Sequence, residues 1–208
     1  MKNALIRGLN AIYAVAPKIK ASHPAFQHFL EYIEVVCEMI MLHLQGDEVF
    51  LESLSQKCTG YRWVANKNIT SLQNPLNALR QLVSEWKRNG NSYQASRLQS
   101  SLSSMEDLLV DVLRKQVAKL RGDALPESVS NSDLHSLIIG NMIWLGTNSD
   151  ISILLPFCMS HHDPRTSQFW PPITADAIAA MPELVKAHPN IWKFAPFNPV
   201  TKAANKSF

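Results

Sequence analysis

Cysteine is scarce in this chain of 208 residues: only Cys37, Cys58 and Cys158 occur. An odd number at wide spacing gives neither a disulfide framework nor a zinc pair. A reducing, cytoplasmic setting is the expectation. Excess charge of one sign is also lacking. The net charge is +3, and the lysines and arginines are scattered among acids, which argues against nucleic acid as a partner. No run of eighteen apolar residues occurs, so no membrane span is expected. Arg7 and Asn10 interrupt any signal-peptide core near the start. A Gly-rich phosphate loop, a serine nucleophile elbow and an HExxH helix are all missing. No histidine stands between Gln56 and Leu134.

What the chain does have is helical periodicity. Apolar residues make up 46%, enough for one sizeable core. A first helix from Asn3 to Ala16 places Leu5, Leu9, Ile12 and Ala16 on one stripe, with Asn3 as its cap and Pro17 as its stop. A second, opening at Ser22-His23-Pro24 and reaching about Leu54, steps four, three, four through Phe29, Ile33, Val36, Ile40, His43 and Asp47. That is the apolar seam of a bundle helix. Gly46 weakens it locally by about 1 kcal/mol relative to alanine, and a loop follows at Thr59-Gly60. A third helix, Ser71 to Arg88, turns Leu72, Leu76, Leu79, Val83 and Trp86 inward and takes Pro75 in its first turn, where proline is tolerated. A fourth, Ser92 to Arg121, turns Leu98, Leu102, Met105, Leu109, Val112 and Gln116 inward, and Gly122 closes it.

The fold expected is therefore all-α: an antiparallel four-helix bundle over residues 1–125. Residues 126–208 form a helical, proline-rich extension packed on the bundle rather than an independent domain. Helices are expected from a Ser132 or Asp133 cap to Trp144, from Asp150 to Met159, and from Ala175 to Ala187. Eight of the twelve prolines fall from Pro156 onward. Phe169, Trp170, Trp192, Phe194 and Phe197 are the expected anchors of the extension.

One histidine and one carboxylate interrupt the second seam. His43 and Asp47 lie one turn apart on one face, a spacing at which both can grip one metal ion. The segment around them resembles a known family. Asn3-Ala-Leu-Ile-Arg-Gly-Leu-Asn-Ala-Ile-Tyr13 is similar to the opening helix of fungal hemerythrin-like proteins, and His43-Leu-Gln-Gly-Asp47-Glu48-Val-Phe50 to their His-x-x-x-Glu-Glu segment. Leu155-Pro-Phe157, His162-Asp163, Trp170-Pro-Pro172 and Trp192-Lys-Phe-Ala-Pro196 follow the order of their C-terminal extension. The resemblance implies a bundle that binds oxygen at two iron ions held by histidines and carboxylates.

Position by position, most of those ligands are replaced. Lys2 stands where the family has its first histidine, and a protonated amine cannot ligate. Asp47 stands in place of glutamate. The third helix offers Leu72, Leu76 and Asn77, and the fourth presents Val112 and Gln116 where the family has a second His-x-x-x-Glu pair. One histidine, one aspartate and one amide fall short of the three good ligands that an iron site of this kind needs. No cofactor is expected. If a metal were kept, His43 and Asp47 would be its ligands.

The function this implies is a divergent hemerythrin-like protein that has lost its di-iron centre and binds or transforms a small apolar metabolite in the bundle core, with fungal secondary metabolism as the setting. His43 and Asp47 are the candidate catalytic pair, as base or acid. Gln116, Arg7 and His162 are the candidate ligand-binding residues. His43, Asp47 and Gln116 could bond to one another, and Lys2 could pair with Asp47. Arg7 is expected in an ion pair with Glu48 or Asp47 that fixes helix register. Two alternatives stand beside this reading. One is a non-haem iron or oxygen-binding protein keeping one metal through His43, Asp47 and His162. The other is a structural or interaction protein. The pair His161-His162 is expected to end a helix before Pro164, because neighbouring helical residues point about 100° apart and rarely share one ion.

Overall fold

The computed structural model describes residues 1–58, 61, 67–120, 125, 129–163, 165–166 and 170–206. The expectations for Thr59-Gly60, Arg121, Gly122 and Phe169 lie outside them. The described residues form seven α-helices: α1 (Lys2–Val15), α2 (Phe26–Lys57), α3 (Lys67–Arg88), α4 (Ala95–Lys119), α5 (Asn131–Thr147), α6 (Ile151–His161) and α7 (Ala175–Ala187). Single 3-10 turns follow α1, precede α4 and lie at Trp192–Phe194. No helix among the described residues is long and apolar enough to cross a membrane by itself.

The seams decide the packing. All five inward residues of α3 are fully buried, as are Phe29, Ile33, Val36 and Ile40 of α2. On α4 the whole series from Leu98 to Gln116 is buried. α1 packs against α2 and α4, and α3 packs against the same two, so the first four helices close a ring. Residues spaced at three and four put their side chains on one stripe, and only the interior of such a ring can cover four stripes at once.

Several boundaries differ from the sequence reading. α1 begins at Lys2, and Met1 is its cap without a side-chain bond, so Asn3 is a helical residue. That shift places Lys2 on the helix. α3 starts at Lys67, which moves Pro75 into its interior. A proline there removes one rung of the ladder, and the continuous buried seam from Leu72 to Trp86 holds the helix across it. α5 is capped by Ser130, whose hydroxyl accepts from Asp133 N at 3.1 Å, rather than by Ser132 or Asp133. α6 runs two residues beyond the expected Met159 and is capped by Asp150, whose carboxylate accepts from Ser152 N at 2.8 Å. α7 spans Ala175–Ala187 as expected.

The chain after Pro126 shares the core of the first four helices. Leu154, Phe157, Ile191, Trp192 and Phe194 belong to the same buried cluster as the seams. The Phe194 ring lies 5.4 Å from that of Phe29 and 5.8 Å from that of Tyr32. α5 lies along α2, and α6 contacts α1 and α7. The α2–α5 approach is close at Gly46. A Cβ there would stand 3.0 Å from Leu145 Cδ2 and 3.3 Å from the Trp144 ring. The helix-weakening glycine of α2 is thus the point where α5 touches down.

A buried polar cluster beside an apolar groove

α1, α2 and α4 each contribute to one cluster. The Lys2 ammonium donates to His43 Nε2 at 3.0 Å, to Gln116 Oε1 at 2.9 Å and to Asp47 Oδ2 in a close ion pair. Three donors meet three acceptors, so the ammonium is fully satisfied. Because Lys2 donates, His43 accepts at Nε2, and its proton therefore sits on Nδ1. His43 Nε2 also stands 3.5 Å from Asp47 Oδ2. The amide Nε2 of Gln116 is buried without a partner among the described residues. The sequence reading anticipated the Lys2–Asp47 pair. It did not anticipate that Lys2 would also hold His43 and Gln116.

Burial shapes the electrostatics. It is the largest influence on all three titrating groups, because a charge loses its hydration in the interior. The Lys2 amine is pushed down from its ordinary value by burial, and Asp47 opposes that shift. The Asp47 carboxyl is pushed up by burial against the pull of Lys2. His43 is pushed well below 6.5 by burial and then by the Lys2 charge, which keeps its imidazole neutral. The result is an ion pair with zero net charge beside a neutral imidazole.

A donor set of one imidazole, one carboxylate and one amide oxygen does not suit a non-haem iron ion. A lysine ammonium at the point where those three donors converge supplies the positive charge itself. Among the described residues, no group of three His, Cys, Asp or Glu side chains gathers as a metal site would need.

His43 and Asp47 also open onto a groove of about 490 Å³. Its walls come from Met1 at the head of α1, α2, α5, α6, the Trp170–Thr174 segment and the start of α7. They are mostly apolar, including Phe50, Met142, Leu145, Leu154 and Trp170, with Asn141 and Thr174 as further polar lining. The groove is open to solvent and lies between α2 and the extension, with Met1 at its edge, not inside the ring of α1 to α4. Lys2 and Gln116 do not line it. They meet it only through His43 and Asp47.

Arg7 and His162 go elsewhere. The Arg7 guanidinium donates to the His161 carbonyl at 3.0 Å and to Thr166 Oγ1 at 3.3 Å, so it ties α1 to the end of α6. The expected ion pair with Asp47 or Glu48 does not form, because Lys2 already holds Asp47. His162 packs edge-on against Trp170, with ring centroids 5.4 Å apart, and does not line the groove. Its neighbour His161 is fully buried: Nε2 accepts from Tyr32 Oη at 2.7 Å, and Nδ1 donates to the Phe157 carbonyl at 2.9 Å. The two histidines face different surroundings, as their helical separation requires.

The sequence reading missed the groove walls on α5 and α6. A signal existed. The run Leu137 to Leu145 is apolar nearly all round, and a helix of that kind must be covered on more than one side. Known protein families, curated proteins and solved structures were compared with the chain, and none of the three gave a match.

Proposed function

We propose that this chain is a hemerythrin-like, antiparallel four-helix bundle in which the Lys2 ammonium has taken the place of the metal, and that it binds a small apolar molecule in the groove beside Asp47. The resemblance of the Asn3–Tyr13 and His43–Phe50 segments supports the family reading. So does the closed ring of α1 to α4. One observation carries the proposal: the carboxylate that pairs with Lys2 also lines an apolar groove of about 490 Å³. Ligand sites are concave and mostly apolar, with few polar groups, and this volume falls in their usual range of roughly 300–1,000 Å³. Asp47 and His43 are the groups that can exchange a hydrogen bond, or a proton, with whatever binds.

A structural role is the second reading. It is favoured by the completeness of the Lys2 bonding, which leaves that ammonium satisfied without a ligand.

Nile red, a neutral apolar dye, separates the two. Saturable binding with a blue-shifted emission is expected, and Ala177→Trp, which fills the groove wall, should abolish it. Absence of saturable binding to the folded protein would leave only the structural role. Metal analysis by mass spectrometry, on protein made in iron-replete medium, tests the other half. Two irons per chain would overturn it.

A further inference from the structure

Resting on that binding reading, we infer that the groove selects a neutral apolar molecule bearing a hydroxyl group, an alcohol or a phenol, which donates to Oδ1 of Asp47. The argument is a count of donors and acceptors. All three N–H groups of the Lys2 ammonium are spent on His43, Asp47 and Gln116. Asn141, whose side-chain amide lines the groove, turns Nδ2 to the Gly46 carbonyl at 2.7 Å. That bond fixes the amide orientation and leaves Oδ1 as its other polar atom. Among the described residues nothing donates to Asn141 Oδ1 or to Asp47 Oδ1. His43 Nδ1–H, the Met1 amine and the Thr174 hydroxyl are donors at the groove lining, yet none of them bonds Asp47 Oδ1 or Asn141 Oδ1, so an occupant that covers the carboxylate must bring a donor to it.

Charge narrows the class. An amine would donate as well, but its ammonium would lie beside the Lys2 ammonium on the same carboxylate, and like charges at that range repel. An ionised carboxylic acid brings no donor and faces Asp47 with its own sign. An ether or ester brings only acceptors, and a carboxylate oxygen left desolvated and unpaired is penalised. A hydroxyl meets all three conditions, and its apolar body is matched by Phe50, Met142, Leu154 and Trp170.

The test is displacement of Nile red by three probes with one chain length: dodecanol, dodecanoate and dodecyl methyl ether. Dodecanol should displace the dye at a concentration at least about tenfold lower than either of the others, as expected for a hydrogen bond to a charged acceptor. In the double variant Lys2→Met/Asp47→Leu, which removes both charges together, the preference for dodecanol over the ether should fall to within about twofold. The folded state of the variant is checked by its cooperative unfolding. Equal displacement by the three probes, tighter binding of dodecanoate or the ether, or a preference that survives in the folded double variant would overturn the inference while leaving groove binding intact. Failure of Nile red to bind the parent protein would remove both.

Discussion

Lys2 Nζ stands 3.0 Å from His43 Nε2, on the far side of the imidazole from its proton, and the same ammonium holds Asp47. A cation bonded at once to an imidazole nitrogen and to a carboxylate one helical turn away takes the part a metal ion plays between two such side chains. The charge comes on a flexible stem, however, and cannot leave. Removing it should therefore cost stability. Lys2→Met strands the Asp47 carboxylate in a largely dry site. Breaking a fully buried pair costs about 3–5 kcal/mol. Here each side chain keeps about a fifth of its exposure, 19% for Lys2 and 18% for Asp47, so a loss of about 2–3 kcal/mol is expected. The double variant Lys2→Met/Asp47→Leu should recover most of it. Urea unfolding of the two single variants and the double variant measures the coupling. Additive losses would show that the pair contributes nothing as a pair.

The same position offers a gain-of-function test. Lys2→His replaces the ammonium with a second imidazole beside His43 and Asp47, and two histidines with one carboxylate form a recognised divalent-metal triad. One equivalent of cobalt(II) per chain is expected after dialysis, measured by mass spectrometry, while the parent protein binds none. A folded Lys2→His protein that stays empty would break the correspondence between Lys2 and a ligand position.

How far the sequence carried the fold depends on the kind of interaction. The seams of α2, α3 and α4 are periodic, and a period survives without knowledge of the partner. Gln116 was placed inward by register alone, and it is 1% exposed. The Lys2–Asp47 contact was visible because charges in a core need partners. Arg7 was misread because its main acceptor is a backbone carbonyl, that of His161, which has no signature in sequence. The burial of His161 followed the same rule: its cover comes from Tyr32, 129 positions earlier. The all-round apolarity of α5 hinted at a wall, but the groove itself was not legible because its walls meet only through the docking of α5 on α2 and of α6 on α1.

Acid should weaken the protein, and His161 is the clearest cause. Burial pushes its imidazole down to about 3, with the Arg7 charge adding to the effect. An unfolded histidine titrates near 6.5. Between those values the unfolded chain binds a proton that the folded chain refuses, so stability is full above about pH 6.5 and falls as the pH drops toward 3. The slope from one such group is about 1.4 kcal/mol per pH unit. His43, also held neutral by burial, adds in the same direction. Asp47, raised by burial, works the other way, since protonation relieves its cost. The Met1 amine, pushed down by burial to about 6, acts with the two imidazoles against the one carboxyl, leaving a net loss on acidification. Urea unfolding at pH 7 and pH 5 should show it, and His161→Gln should flatten the difference. An identical pH dependence in parent and variant would show that His161 is not its source.

Gly46 links the polar cluster to the groove, one residue before Asp47. A Cβ at this position would press on Leu145 at 3.0 Å and on the Trp144 ring at 3.3 Å, and Asn141 reaches the carbonyl of the same residue. Gly46→Val adds three carbons at the tightest point between α2 and α5. Overpacking of this kind costs about 1–3 kcal/mol, against which the better helix propensity of valine returns only a few tenths. The strain is relieved by lifting α5, and α5 carries the groove residues Met142 and Leu145. The expected outcome is a lowered midpoint in urea, a changed emission from Trp144, and Nile red binding weakened at least about tenfold. Full Nile red binding in a Gly46→Val protein with the predicted loss of stability would show that the groove does not depend on the seating of α5.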